Sequence, residues 1–260
     1  MEHILADQGL RVTCLGSSDA IDEFDDCMFV DEWGGGLTSA LHPWRGRLLL
    51  ADQDVLVLVR AKDDDRPLGL IAASQRSTDC EPFLLLEAAY VSPHARHRNL
   101  LQRMIAFTVL SLARQEATPS LIAVCAKSEA YRRNIEELRP HFTGASVFPM
   151  QDAPAIDLSM AKMAQRIARR LCPEARYAAG SGTFYAARDR DLCFPQQSLL
   201  VIDLGSNETA IAADARRLYR RRPSRRADQL DAGGDWRGTK CPVPGAASNL
   251  APSQINRPRR

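Results

Sequence analysis

The sequence has few features of a disulfide-bonded, metal-binding or membrane protein. Its seven cysteines are scattered and include no Cys-x-x-Cys pair, which argues against a disulfide framework or a zinc site. No apolar run approaches the roughly 20 residues that a membrane-spanning helix needs. Glu2 and Asp7 lie at the N-terminus without a long apolar core, so we expect no secretory signal. These absences predict a cytoplasmic protein with no metal and no membrane contact.

Charge is unevenly distributed along the chain, although the formal net charge is only +2. Residues 216–260 carry 12 Lys/Arg and three Asp/Glu, and seven of the arginines fall within residues 216–226. Few large apolar residues follow, so burial cannot offset the entropy of ordering this segment. We therefore predict a basic, disordered tail over residues 216–260. Such a tail is either simply solvated or makes weak contact with a polyanion.

Apolar runs and turn signals outline one domain of mixed α/β type over residues 1–215. A hydrophobic fraction of 45% is sufficient for a real core. The elements predicted over residues 10–148 follow the order β-α-β-β-β-α-β-α, and an extension over about 150–195 leads to a last strand at 199–204. The other predicted strands are residues 10–15, 55–59, 68–73, 83–91 and 121–125, and the predicted helices are 18–28, 99–114, 128–138 and 159–171.

One segment combines a strand, a basic turn and a helix. The apolar run at 83–91 predicts a buried strand, which Ser92-Pro93 ends because proline lacks an N–H donor. The basic turn Arg96-His97-Arg98-Asn99 follows. Apolar residues then recur at helical spacing: Leu100, Leu101, Met104, Ile105 and Leu112. Free amides at a helix start, next to two arginines, predict a site for phosphate or pyrophosphate.

This segment resembles the acyl-CoA-binding motif of the GNAT superfamily of N-acyltransferases. In that family a strand ending in Tyr-Val-x-Pro precedes Arg/Gln-x-x-Gly-x-Gly/Ala and a helix, and the loop amides hold the CoA pyrophosphate. Here the strand ends in Tyr90-Val91-Ser92-Pro93, and Asn99 and Leu101 stand at the two glycine positions. Asparagine tolerates the positive φ of the first position. We expect the Leu101 side chain to narrow the approach of a phosphate to the backbone.

The resemblance implies an α/β (α+β) fold with a mixed, mainly antiparallel sheet flanked by helices. The element order and Pro93 predict that the sheet splays near Val91, where the motif strand diverges from the strand at 121–125. The resemblance also implies acetyl-CoA, or another acyl-CoA, as co-substrate. The residues that would bind this co-substrate are Tyr90, Val91, Arg96, His97, Arg98, Asn99, Leu100, Leu101 and Asn134.

Two residues are candidates for the proton transfers of acyl transfer. Glu87 interrupts an apolar strand and matches an acidic position that serves as the base in some family members. An ion pair with an arginine is the alternative for Glu87. In many members a tyrosine near the CoA sulfur supplies the acid, but Asn134 stands at that position and would instead bond pantetheine. Tyr131 on the same helix is the candidate acid, with ordinary packing as its alternative.

The leading hypothesis is an N-acyltransferase that moves an acyl group, most simply acetyl, from acyl-CoA to an amine. The acceptor would be a small-molecule or peptide amine, and the acidic pair Asp31-Glu32 would suit its positive charge. A non-catalytic acyl-CoA-binding sensor or interaction module is the alternative. A third possibility is an RNA- or protein-binding factor that acts through the basic tail. Both monomer and homodimer are compatible with the sequence.

Overall fold

The computed structural model describes residues 2–5, 10–15, 53–79, 81–92, 95, 99–126, 129–150, 156–186 and 198–221. All of them fall within one compact unit, Met1–Ser224, and the second unit, Arg225–Arg260, contains none. The helix predicted at 18–28, the acidic pair at 31–32 and the tail beyond residue 221 therefore lie outside the described residues.

The described residues form a ten-stranded sheet. Its strands are β1 (Glu2–Leu5), β2 (Leu10–Leu15), β3 (Val55–Ala61), β4 (Pro67–Ser77), β5 (Pro82–Val91), β6 (Leu121–Ala126), β7 (Ser146–Phe148), β8 (Ala175–Ala178), β9 (Thr183–Ala186) and β10 (Ser198–Asp203). The order across the sheet is β1-β2-β3-β4-β5-β6-β10-β9-β8, and β7 pairs with β10. Among these pairings that of β5 with β6 is parallel, and the others are antiparallel.

Helices pack on both faces of this sheet. They are α1 (Leu100–Ala113), α2 (Glu129–Glu136), α3 (Leu158–Leu171) and α4 (Glu208–Arg220), with a 3₁₀ turn at Arg139–His141. One apolar cluster joins the sheet to α1, α2 and α4, and a second joins it to α3. Side chains along β6 alternate between the two clusters, as expected for opposite faces of a strand. The predicted fold class, a mainly antiparallel mixed sheet flanked by helices, is confirmed.

The central strands are apolar along their whole length because both of their faces are covered. Residues 55–60 of β3 and 67–74 of β4 are all buried, which explains why each reads as a continuous run instead of an alternating one. These two strands form an antiparallel hairpin. Both strands extend beyond their predicted ends, since β4 also pairs with β5 as far as Ser77↔Pro82.

Three strands of the second half were not predicted. The glycine-containing segment 176–183 contributes to the hairpin of β8 and β9. Strand β7 is only three residues long and pairs with β10. The last strand returns to the sheet as predicted, where it lies antiparallel to β6. Short strands give little periodicity, and this explains why the sequence did not reveal them.

Helix α4 crosses the predicted start of the basic tail at residue 216. Its buried face contains Ile211, Ala215 and Leu218 at helical spacing, while Arg216 and Arg217 are exposed. The aromatic ring of Tyr219, which follows, lies 5.1 Å from that of Phe107 on α1. The boundary at 216 is therefore wrong, because the helix extends the folded part to at least residue 220.

Candidate functional site

Strands β5 and β6 run side by side for three residues and then separate. The paired residues are Leu84↔Ile122, Leu85↔Ala123 and Leu86↔Val124. Beyond this point β5 continues to Val91 along β4, and β6 continues to Ala126 along β10. Within the described residues, the facing edges of the two strands then have no ladder partner. We call this opening, bounded by residues 87–91 and 125–126, the wedge.

The wedge begins at a β-bulge in β5. Ala72 pairs with Ala88 and Ala73 pairs with Leu86, so Glu87 is an extra residue with no partner on β4. A bulge bends its strand and increases the local twist, which accounts for the separation of β5 from β6 at this residue. The predicted splay is therefore observed, but it starts at Glu87 and not near Val91.

Glu87 lies in a polar contact within the sheet. Its Oε1 accepts a hydrogen bond from Ser74 Oγ at 3.0 Å and lies 3.4 Å from Arg76 NH2. Both contacts use the same oxygen, and Oε2 accepts no hydrogen bond from the described residues. The ion pair with an arginine that we considered from the sequence is thus present. The Glu87 side chain is 20% exposed, so part of it remains accessible to a water molecule or a ligand.

Two apolar clusters flank this carboxylate along β5. Leu85 belongs to the cluster that contains α3, whereas Ala88 and Tyr90 pack against a separate cluster formed by β3 and β4. A carboxylate between two apolar regions needs polar partners, and buried Ser74 supplies one of them. The bulge and its hydrogen bond together hold Glu87 beside the wedge.

Helix α1 begins beyond the open end of the wedge, with Asn99 as its N-cap. Asn99 has φ 49° and ψ 35°, in the left-handed region, and its side chain makes no capping hydrogen bond. The prediction that asparagine adopts a positive φ here is confirmed. The Arg103 N–H donates to the Asn99 carbonyl at 3.1 Å, so the amides before Arg103 lack intrahelical acceptors.

Leu100 and Leu101 both belong to the main apolar core. Their residues are 1% and 7% exposed, respectively, within the cluster that joins α1 to the sheet. The expectation that the Leu101 side chain narrows the approach to the backbone is therefore wrong. A leucine is accommodated at this glycine position because its side chain packs into this apolar core. Arg96, His97 and Arg98 lie outside the described residues.

Tyr90 and Val91 remain in the sheet, since they pair with Leu70 and Gly69 on β4. Gly69 also determines how closely α1 packs. A Cβ at residue 69 would lie 2.6 Å from Met104 Sδ, so only glycine allows this approach without a shift of the methionine. The close packing fixes the start of α1 relative to the end of β5.

Helix α2 lies beside the first turn of α1. Gln102 Nε2 donates to the Asn134 carbonyl and to Glu137 Oε2, both at 3.2 Å. Asn134 itself is exposed.

Tyr131, also on α2, packs partly against the main core. Burial, followed by the charge of Cys125, raises the pKa of its hydroxyl. Tyr131 thus interacts electrostatically with Cys125, which borders the wedge, and its hydroxyl stays protonated at neutral pH.

A second tyrosine near Cys125 was missed by sequence reasoning. Burial, followed by the charge of Cys125, raises the pKa of Tyr177 on β8, and Arg132 opposes this effect. The Tyr177 hydroxyl is buried without a hydrogen-bond partner among the described residues. No sequence signal indicated this residue, because β8 itself was not predicted.

The described part of the chain offers neither a metal centre nor a membrane-spanning helix. It contains no group of three or more His, Cys, Asp or Glu side chains placed to hold a metal ion. None of its helices is both long and apolar enough to cross a membrane.

No protein-family model and no curated protein matches the sequence. A ribosomal-protein-S5-alanine acetyltransferase from Vibrio fischeri is similar in structure, at 12% identity and TM-score 0.39 over 58% of this chain and 88% of that one. An agmatine N-acetyltransferase variant in its apo form has 12% sequence identity and a TM-score of 0.41, and the match covers 75% of this chain and 98% of that one. An aminoglycoside acetyltransferase from an uncultured soil metagenomic sample has 13% sequence identity and a TM-score of 0.39, and the match covers 57% of this chain and 97% of that one. Similarity at this level gives no information on family, substrate or mechanism.

Proposed function

We propose that this protein moves an acyl group, most simply acetyl, from acyl-CoA to an amine by direct attack on the thioester. The observation that supports this most is the wedge, with the free helix start of α1 beyond its open end. An extended ligand with amide groups can pair with a free strand edge. A phosphate group binds well at a helix N-terminus. Acyl-CoA has both features, since a diamide pantetheine arm connects its pyrophosphate to the thioester.

The binding roles in this proposal divide along the ligand. The amides of Asn99, Leu100 and Leu101 would hold the pyrophosphate, because these residues open α1 and the leucine side chains are buried elsewhere. Arg96, His97 and Arg98 precede this turn in the sequence and would add positive charge and donors. The pantetheine arm would run along the backbone of Tyr90 and Val91 and accept a hydrogen bond from Asn134.

The chemical step requires one base and one acid. Glu87 Oε2, directly or through a water molecule, would remove a proton from the ammonium of the acceptor. The amine lone pair then attacks the thioester carbonyl, a C–N bond forms, and the C–S bond breaks. The second proton that the nitrogen loses as the amide forms passes to water. Tyr131 would donate its proton to the leaving thiolate, and its raised pKa makes it a weaker acid for this step than an exposed tyrosine would be. Neither a metal ion nor a covalent enzyme intermediate takes part in this scheme.

A non-catalytic acyl-CoA-binding module is the second candidate. The contact of Glu87 with Arg76 favours it, because a paired carboxylate is less available as a base. Binding would be common to both candidates, whereas turnover would distinguish them.

Thermal shift with acetyl-CoA, longer acyl-CoAs and free CoA tests the binding step, and release of free CoA thiol over a panel of amines tests turnover. We expect acetyl-CoA to raise the melting temperature in a concentration-dependent way. We also expect at least one class of amine to release thiol. Stabilisation without turnover would support the module, and no stabilisation by any of these ligands would refute both candidates.

A further inference from the structure

A basic cavity lies where the C-terminal end of α4 meets the 3₁₀ turn. Its volume is about 710 Å³. The residues that line it are Pro140, His141, Ala213, Arg216, Arg217, Leu218, Arg220 and Arg221. Arg217 pairs with Asp214 at 2.6 Å, whereas Arg216 and Arg220 have no ion pair among the described residues. The cavity thus contains four arginines. The preceding part of the chain is acidic by contrast, because residues 1–215 carry 22 Lys/Arg against 29 Asp/Glu.

Arg103 ties this end of α4 to the first turn of α1. Its Nε donates to the Tyr219 carbonyl at 3.1 Å, and its guanidinium carbon lies 5.9 Å from the centre of the Tyr219 ring. Tyr219 directly precedes Arg220. The arginines of the cavity therefore lie beside the turn where the proposed pyrophosphate site begins.

A second set of contacts reaches the same place from α2. Gln102, in the first turn of α1, donates to Glu137 Oε2 at 3.2 Å. Glu137 interacts electrostatically with His141, and a His141 ring nitrogen lies 3.3 Å from Arg221 NH1. Two series of contacts, one through Arg103 and one through Gln102, therefore connect the first turn of α1 with the cavity.

We propose that this cavity binds the 3′-phosphate of the ADP portion of acyl-CoA, so that α4 helps to distinguish CoA from 3′-dephospho-CoA. The proposal rests on the function proposed above. The 3′-phosphate is attached to the ribose next to the pyrophosphate, so a site adjacent to the start of α1 is where it has to be held. A phosphate monoester carries nearly two negative charges near neutral pH, and guanidinium groups bind it through paired N–H donors.

The ordinary alternative is that these arginines only complement the negative C-terminal end of the helix dipole. That role would not depend on any ligand. His141 provides a readout that separates the two roles. Burial, followed by Arg221, lowers the pKa of His141, and Glu137 opposes this effect. A phosphate bound beside His141 should raise its pKa, because an added negative charge favours the protonated ring.

The test is calorimetry of CoA and 3′-dephospho-CoA at low salt, on wild type and on Arg216→Ala/Arg220→Ala. Wild type should bind CoA about ten-fold more tightly than dephospho-CoA. The double variant should lose most of this preference and keep its dephospho-CoA affinity. The control Arg169→Ala/Arg170→Ala removes two exposed arginines from the last turn of α3 and should retain the preference. NMR titration of His141 should show a raised pKa with CoA but not with dephospho-CoA.

Equal wild-type affinities for the two ligands would overturn this inference while leaving the proposed function intact. So would an unchanged preference in the folded double variant. If that variant fails to fold, Arg216→Lys/Arg220→Lys keeps both charges but weakens paired contacts, and it should show a reduced preference; a full preference counts against the inference. No binding of either ligand to wild type would refute the proposed function and this inference together.

Discussion

The substitution Glu87→Gln tests the proposed base while keeping the shape of the side chain. Glutamine retains an oxygen that can accept the Ser74 hydrogen bond, so the bulge in β5 should persist. It removes the group that takes the proton from the acceptor ammonium. We expect acetyl-CoA affinity to be preserved, because the proposed phosphate and pantetheine contacts do not involve the Glu87 carboxylate.

The environment of Glu87 determines how large the expected loss of kcat is. General-base catalysis typically contributes 10²–10⁴-fold. Because the side chain is 20% exposed, water can partly replace the base, and the loss should lie near the lower limit. A fall in kcat of on the order of 10²-fold corresponds to about 2.7 kcal/mol of transition-state stabilisation. The deficit should shrink as pH rises towards the pKa of the amine, because the free amine then needs no base.

Steady-state release of free CoA thiol at several pH values provides the assay, and calorimetry with acetyl-CoA provides the affinity. Glu81→Gln is the matched control, since Glu81 is an exposed carboxylate directly before β5. An unchanged kcat in Glu87→Gln would refute the assignment of the base. An equal loss in Glu81→Gln would show that the effect is one of charge alone.

Three further predictions concern binding and stability. Arg96→Ala/Arg98→Ala should weaken acetyl-CoA binding by about ten-fold without unfolding the protein, and unaltered affinity in low-salt calorimetry would place the ligand elsewhere. Asp214→Ala should lower the free energy of unfolding in urea by about 1–2 kcal/mol, because Asp214 is 3% exposed and accepts the Thr143 N–H at 2.6 Å; Asp214→Asn should lose less, and equal losses would contradict this. Since burial raises the pKa of Tyr131 above its ordinary value of 10.0, its contribution to stability is complete below about pH 10 and is lost as pH rises through the raised pKa. The variant Tyr131→Phe should therefore show a shallower alkaline loss of stability, and an unchanged slope would argue against its burial.

The sequence predicted the central strands because complete burial leaves a direct signature. Strands with both faces covered consist of uninterrupted apolar residues, as in β6 and β10. The start of α1 was predictable for a similar reason, since Pro93 ends the preceding strand and asparagine tolerates the positive φ of Asn99. These signals are local, and one sequence is enough to read them.

The candidate site was less predictable because it depends on pairing between distant segments. Glu87 stood out as a charged residue in an apolar strand, but the bulge that positions it is a register shift between β4 and β5. The wedge follows from this shift, and so its beginning was misplaced. Helix α4 was masked by its arginines, although the spacing of Ile211, Ala215 and Leu218 was present in the sequence. The arginine-rich composition after residue 215 indicated disorder, whereas the apolar periodicity indicated a helix. Because the prediction followed the composition, the helix and its basic cavity were both missed.

The most direct test of the account is amide hydrogen exchange of the wild-type chain with and without acetyl-CoA. The proposal places pantetheine along the free edge of β5 and the pyrophosphate on the first amides of α1. We therefore predict ligand-dependent protection at residues 87–91 and 99–102, with little change in the α3 helix. Protection confined to other segments, or no change at saturating acetyl-CoA, would contradict the assignment of the wedge as an acyl-CoA site.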